Sequence, residues 1–295
     1  KSRDISYAGC GLPYYVGGMI QEPEELIVNT PAKYAALTGV EVLTEKEVVS
    51  IDPQTKSVRA KDVKTGEEEV HNYDKLVIAT GASPAVLPVK GMELGGVFTM
   101  RTLEDAVNVR AYVEEENVKK AVVVGAGFIG LEMAENLQQK GVSVTVIDFA
   151  PQILPNILDP EMAAYGKKHL LKKGIKVITG TKAEEISGDK KVSSIKTSAG
   201  VLSCGLVIMA AGIRPNTGFL ENSGIEMNRG TILVDRTMKT SLTDVYAAGD
   251  CVQVVSRITG KAQWSPMGSS ANLEGRTLAQ ILAGEQKEYP GVLGT

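Results

Sequence analysis

The stretch AVVVGAGFIGLEMAENLQQKGVSVTVID, residues 121–148, decides the fold class of this chain. Its apolar pattern predicts a buried strand over 121–124, a helix over 128–139 and a second strand over 142–147. A glycine-rich turn separates the first strand from the helix, and Gly141 marks the helix end. Strand, helix and strand in this order form the unit of a parallel sheet covered by helices, so we expect an α/β protein.

The glycines of this turn have the spacing of a dinucleotide-binding site. Gly125 permits a tight turn, Gly127 lets backbone amides approach a pyrophosphate, and Gly130 lets the helix pack on the strand. The helix N-terminus adds a partial positive charge and unpaired donors for phosphates. Asp148 follows the second strand, where it would accept both ribose hydroxyls and repel a 2′-phosphate. The pattern therefore favours NADH over NADPH.

Two segments resemble each other and indicate an internal duplication. Residues 39–84 begin GVEVLT and end DKLVIATGASP, and residues 174–215 begin GIKVIT and end GLVIMAAGIRP. Each contains a short apolar run, alternating strand-like pieces separated by turn residues, and a final apolar strand ending in glycine. We interpret them as two copies of a strand, an antiparallel meander and a buried strand.

The duplication predicts two Rossmann-like domains, each with three layers: a parallel sheet, helices and an antiparallel meander. The first would be discontinuous and comprise residues 1–103 and 217–295, and the second would comprise residues 104–216. The residues before Gly39 hold no second GxGxxG pattern. The first domain is therefore expected to be truncated, with its own nucleotide-binding turn lost ahead of Lys1.

Cys10 stands in the segment SYAGCGLPYYVGG, residues 6–18, with a glycine on each side. Pro13 suits the first turn of a helix that would begin beside the thiol. A reactive thiol and a small packed side chain are both compatible with this setting. Cys204 and Cys251 lie at ends of apolar strands and are predicted to be packed side chains.

Other strand ends carry glycine beside small or polar residues. Thr80–Gly81 and Gly212 end the apolar strands of the two repeats, where the backbone is expected to pass close to another surface. The strand of DVYAAGDC, residues 244–251, ends at Gly249–Asp250. A short acidic side chain after a glycine can receive hydroxyl groups of an extended cofactor, while local amides hold a phosphate.

The composition argues against several classes of protein. The 295 residues are 43% hydrophobic and 23% charged with a net charge of −3, so no basic field attracts nucleic acid or an anionic membrane. No apolar run reaches membrane-spanning length. Three cysteines do not make a secreted disulfide framework, and we expect a cytoplasmic location. The two histidines have no obvious partners, so no metal site is predicted.

Taken together, the motifs resemble those of the pyridine nucleotide-disulfide oxidoreductases, flavoproteins in which an NAD(P)H domain interrupts an FAD domain. The single-cysteine branch is the most similar, and it includes coenzyme A disulfide reductases, NADH oxidases and peroxidases, and persulfide reductases. Five motifs carry the resemblance in chain order: SYAGCGLPYYVGG, ATGASP, VVVGAGFIGLEMAE, AAGIRPN and VYAAGDC.

The resemblance implies roles for individual residues. Cys10 would be the redox-active nucleophile, reduced through flavin and passing through a mixed disulfide or a sulfenic acid. Ser6 would help to bind the thiol substrate, Glu132 would lie near the nicotinamide, and Asp250 would hold the ribityl–phosphate part of FAD. The expected cofactor-binding residues are Thr80, Gly81, Gly125, Gly127, Ile129, Gly130, Glu132, Asp148, Gly212, Gly249 and Asp250.

The resemblance also implies a function. The parent protein would be an FAD-dependent enzyme that uses NADH to reduce a low-molecular-weight disulfide, persulfide or peroxide through one cysteine. This chain would be an inactive fragment of it that lacks the FAD turn and the C-terminal dimerisation domain, and the full-length protein would be a homodimer. Gly9 stands where reductases acting on coenzyme A usually carry asparagine, which argues against that substrate. An NADH oxidase reducing O2 and a non-catalytic NADH-binding module are the alternatives.

Overall fold

The computed structural model describes residues 2–293, and its mixture of helices and strands confirms the predicted α/β class. The helices are α1 (Leu12–Gly17), α2 (Pro31–Thr38), α3 (Leu103–Glu115), α4 (Phe128–Gln139), α5 (Pro160–Lys172) and α6 (Gly268–Leu282). Short 3-10 turns cover Gly9–Gly11, Pro23–Leu26 and Gly218–Leu220. The strands are β1 (Ser6–Tyr7), β2 (Ile27–Asn29), β3 (Lys46–Asp52), β4 (Ser57–Asp62), β5 (Glu68–Asn72), β6 (Leu76–Ile78), β7 (Ala82–Pro84), β8 (Val97–Thr99), β9 (Lys120–Val124), β10 (Ser143–Asp148), β11 (Lys176–Thr179), β12 (Ala183–Gly188), β13 (Val192–Thr197), β14 (Gly200–Ser203), β15 (Leu206–Met209), β16 (Ile213–Pro215), β17 (Met227–Asn228), β18 (Thr231–Leu233), β19 (Val245–Ala247), β20 (Val252–Val255) and β21 (Ala262–Gln263).

The chain divides into two compact units. The first unit contains the described residues up to Arg3, Glu41–Ser83, and the residues from Ile213 onward. The second unit contains Asp4–Val40 and Pro84–Gly212. Compared with the sequence-based boundaries, the second unit also takes in the Cys10 segment and the residues that precede α3. The assignment of one cofactor to each domain stays a prediction.

A parallel sheet forms the centre of the second unit, with strand order β11-β10-β9-β15-β8. Its central strands are continuous apolar runs, because helices cover one face and other strands cover the opposite face. The stretch that decided the fold class forms β9, α4 and β10 within one residue of the predicted bounds. Gly141 ends the helix with a φ of +83°, a conformation that favours glycine.

The antiparallel meander β12-β13-β14 supplies the third layer of the second unit. Ile186 and Ile195 of the meander share a buried cluster with Val122 and Ile147 of the parallel sheet. Ala183 and Ile186 of β12 and Val192 and Ile195 of β13 are buried in this cluster, and irregularities in the β12–β13 pairing interrupt strict alternation. The predicted three-layer organisation is therefore present in this unit.

The first unit repeats part of this arrangement. The antiparallel meander β3-β4-β5 precedes β6, and β6 pairs in parallel with β19. In the second unit, the meander likewise precedes β15, which pairs in parallel with β8. A separate core that includes Ile78, Ile232 and Leu278 joins these strands to α6. The predicted duplication of a meander followed by a parallel strand is present, but β6 is only partly buried, with Val77 exposed, whereas β15 is fully buried.

One predicted strand of the repeat is absent. The GIKVIT run forms β11 beside β10, whereas the matching residues 40–44 in GVEVLT form no strand. A strand needs a neighbour to pair its amides and carbonyls, and among residues 2–293 none lies beside this run. Val40 and Leu43 are accordingly about half exposed. The expectation of a strand at the start of the first copy was wrong for this reason.

Candidate active site

The glycine-rich turn lies at the carboxyl end of β9, which pairs with β10 on one side and β15 on the other. In open α/β sheets this is the crevice in which ligands bind. Gly125 has a φ of +116°, and a Cβ there would overlap the carbonyl group of Ala210. A Cβ on Gly130 would overlap the carbonyl oxygen of Gly125. The fold itself therefore requires glycine at these two positions.

Gly127, the N-cap residue of α4, differs from the other two glycines. Apart from its chain neighbours, none of residues 2–293 lies within 4 Å of the position its Cβ would occupy, and its φ of −80° suits any residue. The first amides of a helix have no partners within the helix, and the open space lies beside them. The fold therefore does not require glycine at this position, and a pyrophosphate would fit the open space beside the helix amides.

Asp148 ends β10 with its carboxylate beside the turn. One oxygen accepts a hydrogen bond from the Ala126 amide, and the other accepts one from the Ala150 amide at 2.7 Å. Each carboxylate oxygen can accept a second hydrogen bond. The backbone therefore fixes the carboxylate in place while leaving it able to accept from two ribose hydroxyls.

Ile129 and Glu132 lie in the first turns of α4. Ile129 is partly buried against the core of the second unit. Burial of the half-buried Glu132 raises the pKa of its carboxyl group, and the nearby Glu135 raises it further. At a given pH, a larger fraction of Glu132 is therefore neutral than would be expected for an exposed glutamate. Its placement near a nicotinamide stays a prediction.

Cys10 lies in the short 3-10 turn that precedes α1, and Pro13 occupies the first turn of that helix as predicted. Cys10 is exposed, whereas Cys204 and Cys251 are buried. Burial raises the pKa of the Cys204 thiol to about 11 and also raises that of Cys251. The prediction of packed side chains is confirmed for these two, and Cys10 is the accessible thiol of the three.

Helix α1 packs on α3 and α4, so the Cys10 segment lies against the helix that carries the dinucleotide turn. Tyr15 and Val16 are buried in the shared core. Gly17 approaches α4 so closely that a Cβ there would overlap the side chain of Asn136. The Cys10 segment and the glycine-rich turn therefore belong to one packed body.

Arg110 of α3 anchors the chain that follows α1. Its Nη1 atom donates to the carbonyl oxygens of Tyr15, Ile20 and Gln21 at 3.3, 3.1 and 2.9 Å. Its guanidinium carbon lies 4.6 Å from the centre of the Tyr15 ring, and its Nε pairs with Glu114 at 3.3 Å. A planar guanidinium can make all of these contacts at once, whereas a lysine ammonium cannot.

Replacing Arg110 by glutamine is expected to loosen the segment 9–21. The lost hydrogen bonds and ring contact together correspond to about 2–3 kcal/mol of local stability. Hydrogen–deuterium exchange of peptides covering 9–21 is therefore expected to accelerate at least about tenfold. Glu114→Gln is the control, because it removes the ion pair but keeps the three carbonyl contacts. Equal exchange in the wild type and Arg110→Gln would contradict this role for Arg110.

Thr80 and Gly81 contact the chain near Asn216 within the first unit. The Thr80 hydroxyl donates to the Asn216 carbonyl at 2.7 Å, and the Asn216 side-chain amide donates to the Thr80 carbonyl at 2.9 Å. The Asn216 backbone amide donates to the Gly81 carbonyl at 2.9 Å. Gly212 in the second unit likewise accepts from the Ala85 amide. The expected close backbone approaches are present, and cofactor contacts of these residues stay a prediction.

Gly249 and Asp250 follow β19 in the first unit and line a cavity of about 370 Å³. The cavity lies among β6, the end of β19 and α6, and its other lining residues include Val77, Gly81 and Gly275. Gly249 has a φ of +85°. The Trp264 indole donates to the Asp250 carbonyl at 2.8 Å, which ties the segment WSPMGSSAN, residues 264–272, to this turn.

Two residues were not predicted from the sequence: Arg110, which holds the chain that follows α1, and Glu274, which holds the Gly249–Asp250 turn. Arg110 gives no sequence signal, because its partners are backbone carbonyls about ninety positions upstream. Glu274, which accepts from the Gly249 amide, does give a signal. It lies in the buried stripe of α6 with Ser270, Thr277 and Leu278, where an acidic residue is unusual.

The structure distributes the predicted site residues over the two units. The second unit holds Ser6, Cys10, Gly125, Gly127, Ile129, Gly130, Glu132, Asp148 and Gly212, and the first unit holds Thr80, Gly81, Gly249 and Asp250.

Among residues 2–293 the structure shows no cluster of three or more side chains suited to bind a metal ion. In the same part of the chain, no helix combines the length and apolar character needed to cross a membrane.

Comparison with known proteins gives consistent matches. The sequence model of a family described as pyridine nucleotide-disulphide oxidoreductase matches residues 1–266. An NADH oxidase from Methanocaldococcus jannaschii is 40% identical over 98% of this chain and 65% of its own length. The NAD(P)H coenzyme A polysulfide/persulfide reductase from Pyrococcus horikoshii is 35% identical over 99% of this chain and 64% of its own length. The chain thus spans less than two thirds of these relatives.

A solved structure supports the same likeness in three dimensions. The NAD-dependent persulfide reductase from A. fulgidus superposes with a TM-score of 0.94 and is 40% identical. The match covers 99% of this chain and 55% of that one. The likeness therefore extends over both units.

Proposed function

Because this chain belongs to the pyridine nucleotide-disulphide oxidoreductase family, we propose that it forms the NADH- and cysteine-bearing part of an FAD-dependent oxidoreductase. The substrate is a low-molecular-weight disulfide, persulfide or peroxide. The observation that carries this proposal is that the accessible thiol, Cys10, and the Gly125 turn belong to one packed unit. The names of the relatives, NADH oxidase and persulfide reductase, agree with this class of reaction.

NADH is the proposed ligand of the second unit. The pyrophosphate would contact the amides beside Gly127, and the adenosine ribose would donate to Asp148. Glu132, further along α4, would face the nicotinamide end. The open space at Gly127 supports the first placement, and the fixed carboxylate of Asp148 supports the second.

FAD is the proposed ligand of the first unit, and the cavity at Gly249–Asp250 fits part of it. Small and apolar lining residues leave room for an extended group, and Asp250 offers an acceptor for its hydroxyls. The second unit holds its dinucleotide turn between β9 and α4, and the first unit has no counterpart of this turn among residues 2–293.

Cys10 performs the sulfur chemistry in this proposal. Its thiolate attacks one sulfur of a substrate disulfide, so that a new S–S bond forms as the substrate bond breaks and the other half leaves as a thiol. Two electrons derived from NADH then cleave the mixed disulfide and restore the Cys10 thiolate. The net reaction converts NADH, a proton and one disulfide into NAD+ and two thiols. Bound FAD supplies the two-electron carrier between nicotinamide and thiol.

Replacing Asp148 by asparagine tests the proposed choice of nucleotide. The substitution keeps the size of the side chain, removes the charge that repels a 2′-phosphate, and replaces one acceptor oxygen by an NH2 group, so that one of the two backbone hydrogen bonds to this side chain is lost as well. We expect the NADH dissociation constant to rise about tenfold and the preference over NADPH to shrink by at least that factor. Isothermal titration with both nucleotides measures these changes. The exposed Asp189→Asn variant is the control, and an unchanged NADH affinity in Asp148→Asn would place the ribose elsewhere.

Reduction of O2 by an NADH oxidase is the second candidate, because the Methanocaldococcus jannaschii relative bears that name. The same Cys10 would then pass through a sulfenic acid instead of a mixed disulfide. Product analysis with the full-length protein separates the two: thiols are expected from disulfide reduction, and water or peroxide from oxygen reduction. A homodimer in the full-length protein remains a prediction.

A further inference from the structure

Glu274 is a buried acidic residue that the proposed electron transfer does not use. It lies in the middle of α6 and is 2% exposed. Acidic side chains are rarely buried to this extent unless they bind a specific partner. The partners of Glu274 therefore indicate its role.

The Glu274 carboxylate binds the turn that follows β19. Its Oε2 atom accepts a hydrogen bond from the Gly249 amide at 2.7 Å. Gly249 has a φ of +85° and stands directly before Asp250. The same carboxyl group is within hydrogen-bonding reach of the hydroxyl of Tyr289, which is 3% exposed. Glu274 thus links α6, the Gly249–Asp250 turn and the C-terminal segment.

The surroundings of Glu274 favour its neutral form. Burial raises the pKa of the Glu274 carboxyl to about 7, and the negative charge of Asp250 on the facing turn raises it as well. The hydrogen bonds from Gly249 and Tyr289 act in the opposite direction. Burial and Glu274 together raise the pKa of Tyr289 to about 12, so this residue stays neutral at ordinary pH. Asp250 and Glu274 are therefore the two acidic groups at this turn whose charges interact.

We infer that Glu274 is a positioning residue that holds the Gly249–Asp250 turn in the conformation that receives FAD, and that its neutral form favours flavin binding. This inference rests on the proposed function. A charged Glu274 would add a second negative charge beside the partly buried Asp250, close to where the ribityl–phosphate part of FAD is proposed to lie. Loss of a proton from Glu274 above pH 7 therefore opposes binding of an anionic cofactor.

The test measures the FAD dissociation constant of the full-length protein at pH 6 and pH 8. For the wild type we expect affinity about fivefold weaker at pH 8, where Glu274 carries its charge. Glu274→Gln keeps an acceptor for the Gly249 amide without the charge, so we expect equal affinity at the two pH values. Glu274→Leu leaves that amide without its acceptor, and we expect binding about tenfold weaker at both. The exposed Glu285→Gln variant is expected to behave like the wild type.

A second readout concerns the present chain without flavin. The amide resonance of Gly249 is expected to shift with the titration of Glu274 near pH 7 in the wild type and to stay constant in Glu274→Gln. If the full-length wild type and all variants fail to bind FAD, the proposed function and this inference both fail. If FAD binds with the same affinity and pH dependence in the wild type, Glu274→Gln and Glu274→Leu, only the inference is overturned.

Discussion

Replacing Cys10 by serine in the full-length protein is expected to lower the rate of disulfide or persulfide reduction at least about a hundredfold. A serine hydroxyl is a much weaker nucleophile than a thiolate at neutral pH, and it cannot form the mixed disulfide. NADH oxidation with ferricyanide as the electron acceptor is expected to continue, because that reaction bypasses the thiol. Steady-state rates measured with the disulfide and with ferricyanide show whether the substitution affects only the thiol-dependent reaction.

Cys204→Ala and Cys251→Ala are the matched controls for this substitution. Both thiols are buried, so their removal is expected to leave the disulfide reductase rate within about twofold of the wild type after correction for folded protein. Full disulfide reduction by Cys10→Ser would show that another group attacks the substrate. Equal loss of the ferricyanide reaction would show that Cys10 acts in flavin reduction or stability instead.

Replacing Gly127 by alanine is expected to weaken NADH binding on the order of tenfold to a hundredfold without changing the stability of the chain. Apart from its chain neighbours, the added methyl group meets no described residue within 4 Å, and the backbone conformation suits alanine. It would occupy the space through which the pyrophosphate approaches the helix amides. Isothermal titration with NADH and thermal unfolding measure the two quantities separately.

Two other glycines provide the comparison for this prediction. Gly205→Ala also adds its methyl group to open space, but at the opposite end of the parallel sheet, so NADH binding is expected to stay unchanged. Gly130→Ala would collide with the backbone of Gly125 and is expected to cost about 1–3 kcal/mol of stability. If Gly127→Ala binds NADH as tightly as the wild type, the pyrophosphate does not lie on this turn.

The local pattern of the sequence predicted β9, α4 and β10 almost residue by residue, because each of these elements carries its own signal. Apolar runs marked the buried strands, helical spacing marked α4, and Gly141 marked its end. The internal repeat then predicted the second meander and its following parallel strand. These features depend on neighbours in sequence, which a single sequence displays.

Features that depend on distant partners were not predictable in the same way. Residues 40–44 have the composition of a strand but form none, because strand formation requires a neighbour that residues 2–293 do not provide. Arg110 binds backbone carbonyls, which every residue carries and which leave no trace in the sequence. The packing of α1 on α4 depends on the close approach of Gly17 to Asn136, and no local pattern indicates that contact.

The most direct test of the central claim, that Cys10 receives reducing equivalents from NADH, is mass analysis of the Cys10 peptide in the full-length, flavin-loaded protein. After anaerobic exposure to a small disulfide, the account predicts that this peptide gains the mass of one substrate half and loses it again when NADH is added. An unmodified Cys10 in a protein that nevertheless turns over the disulfide, or an adduct that NADH does not remove, would contradict it.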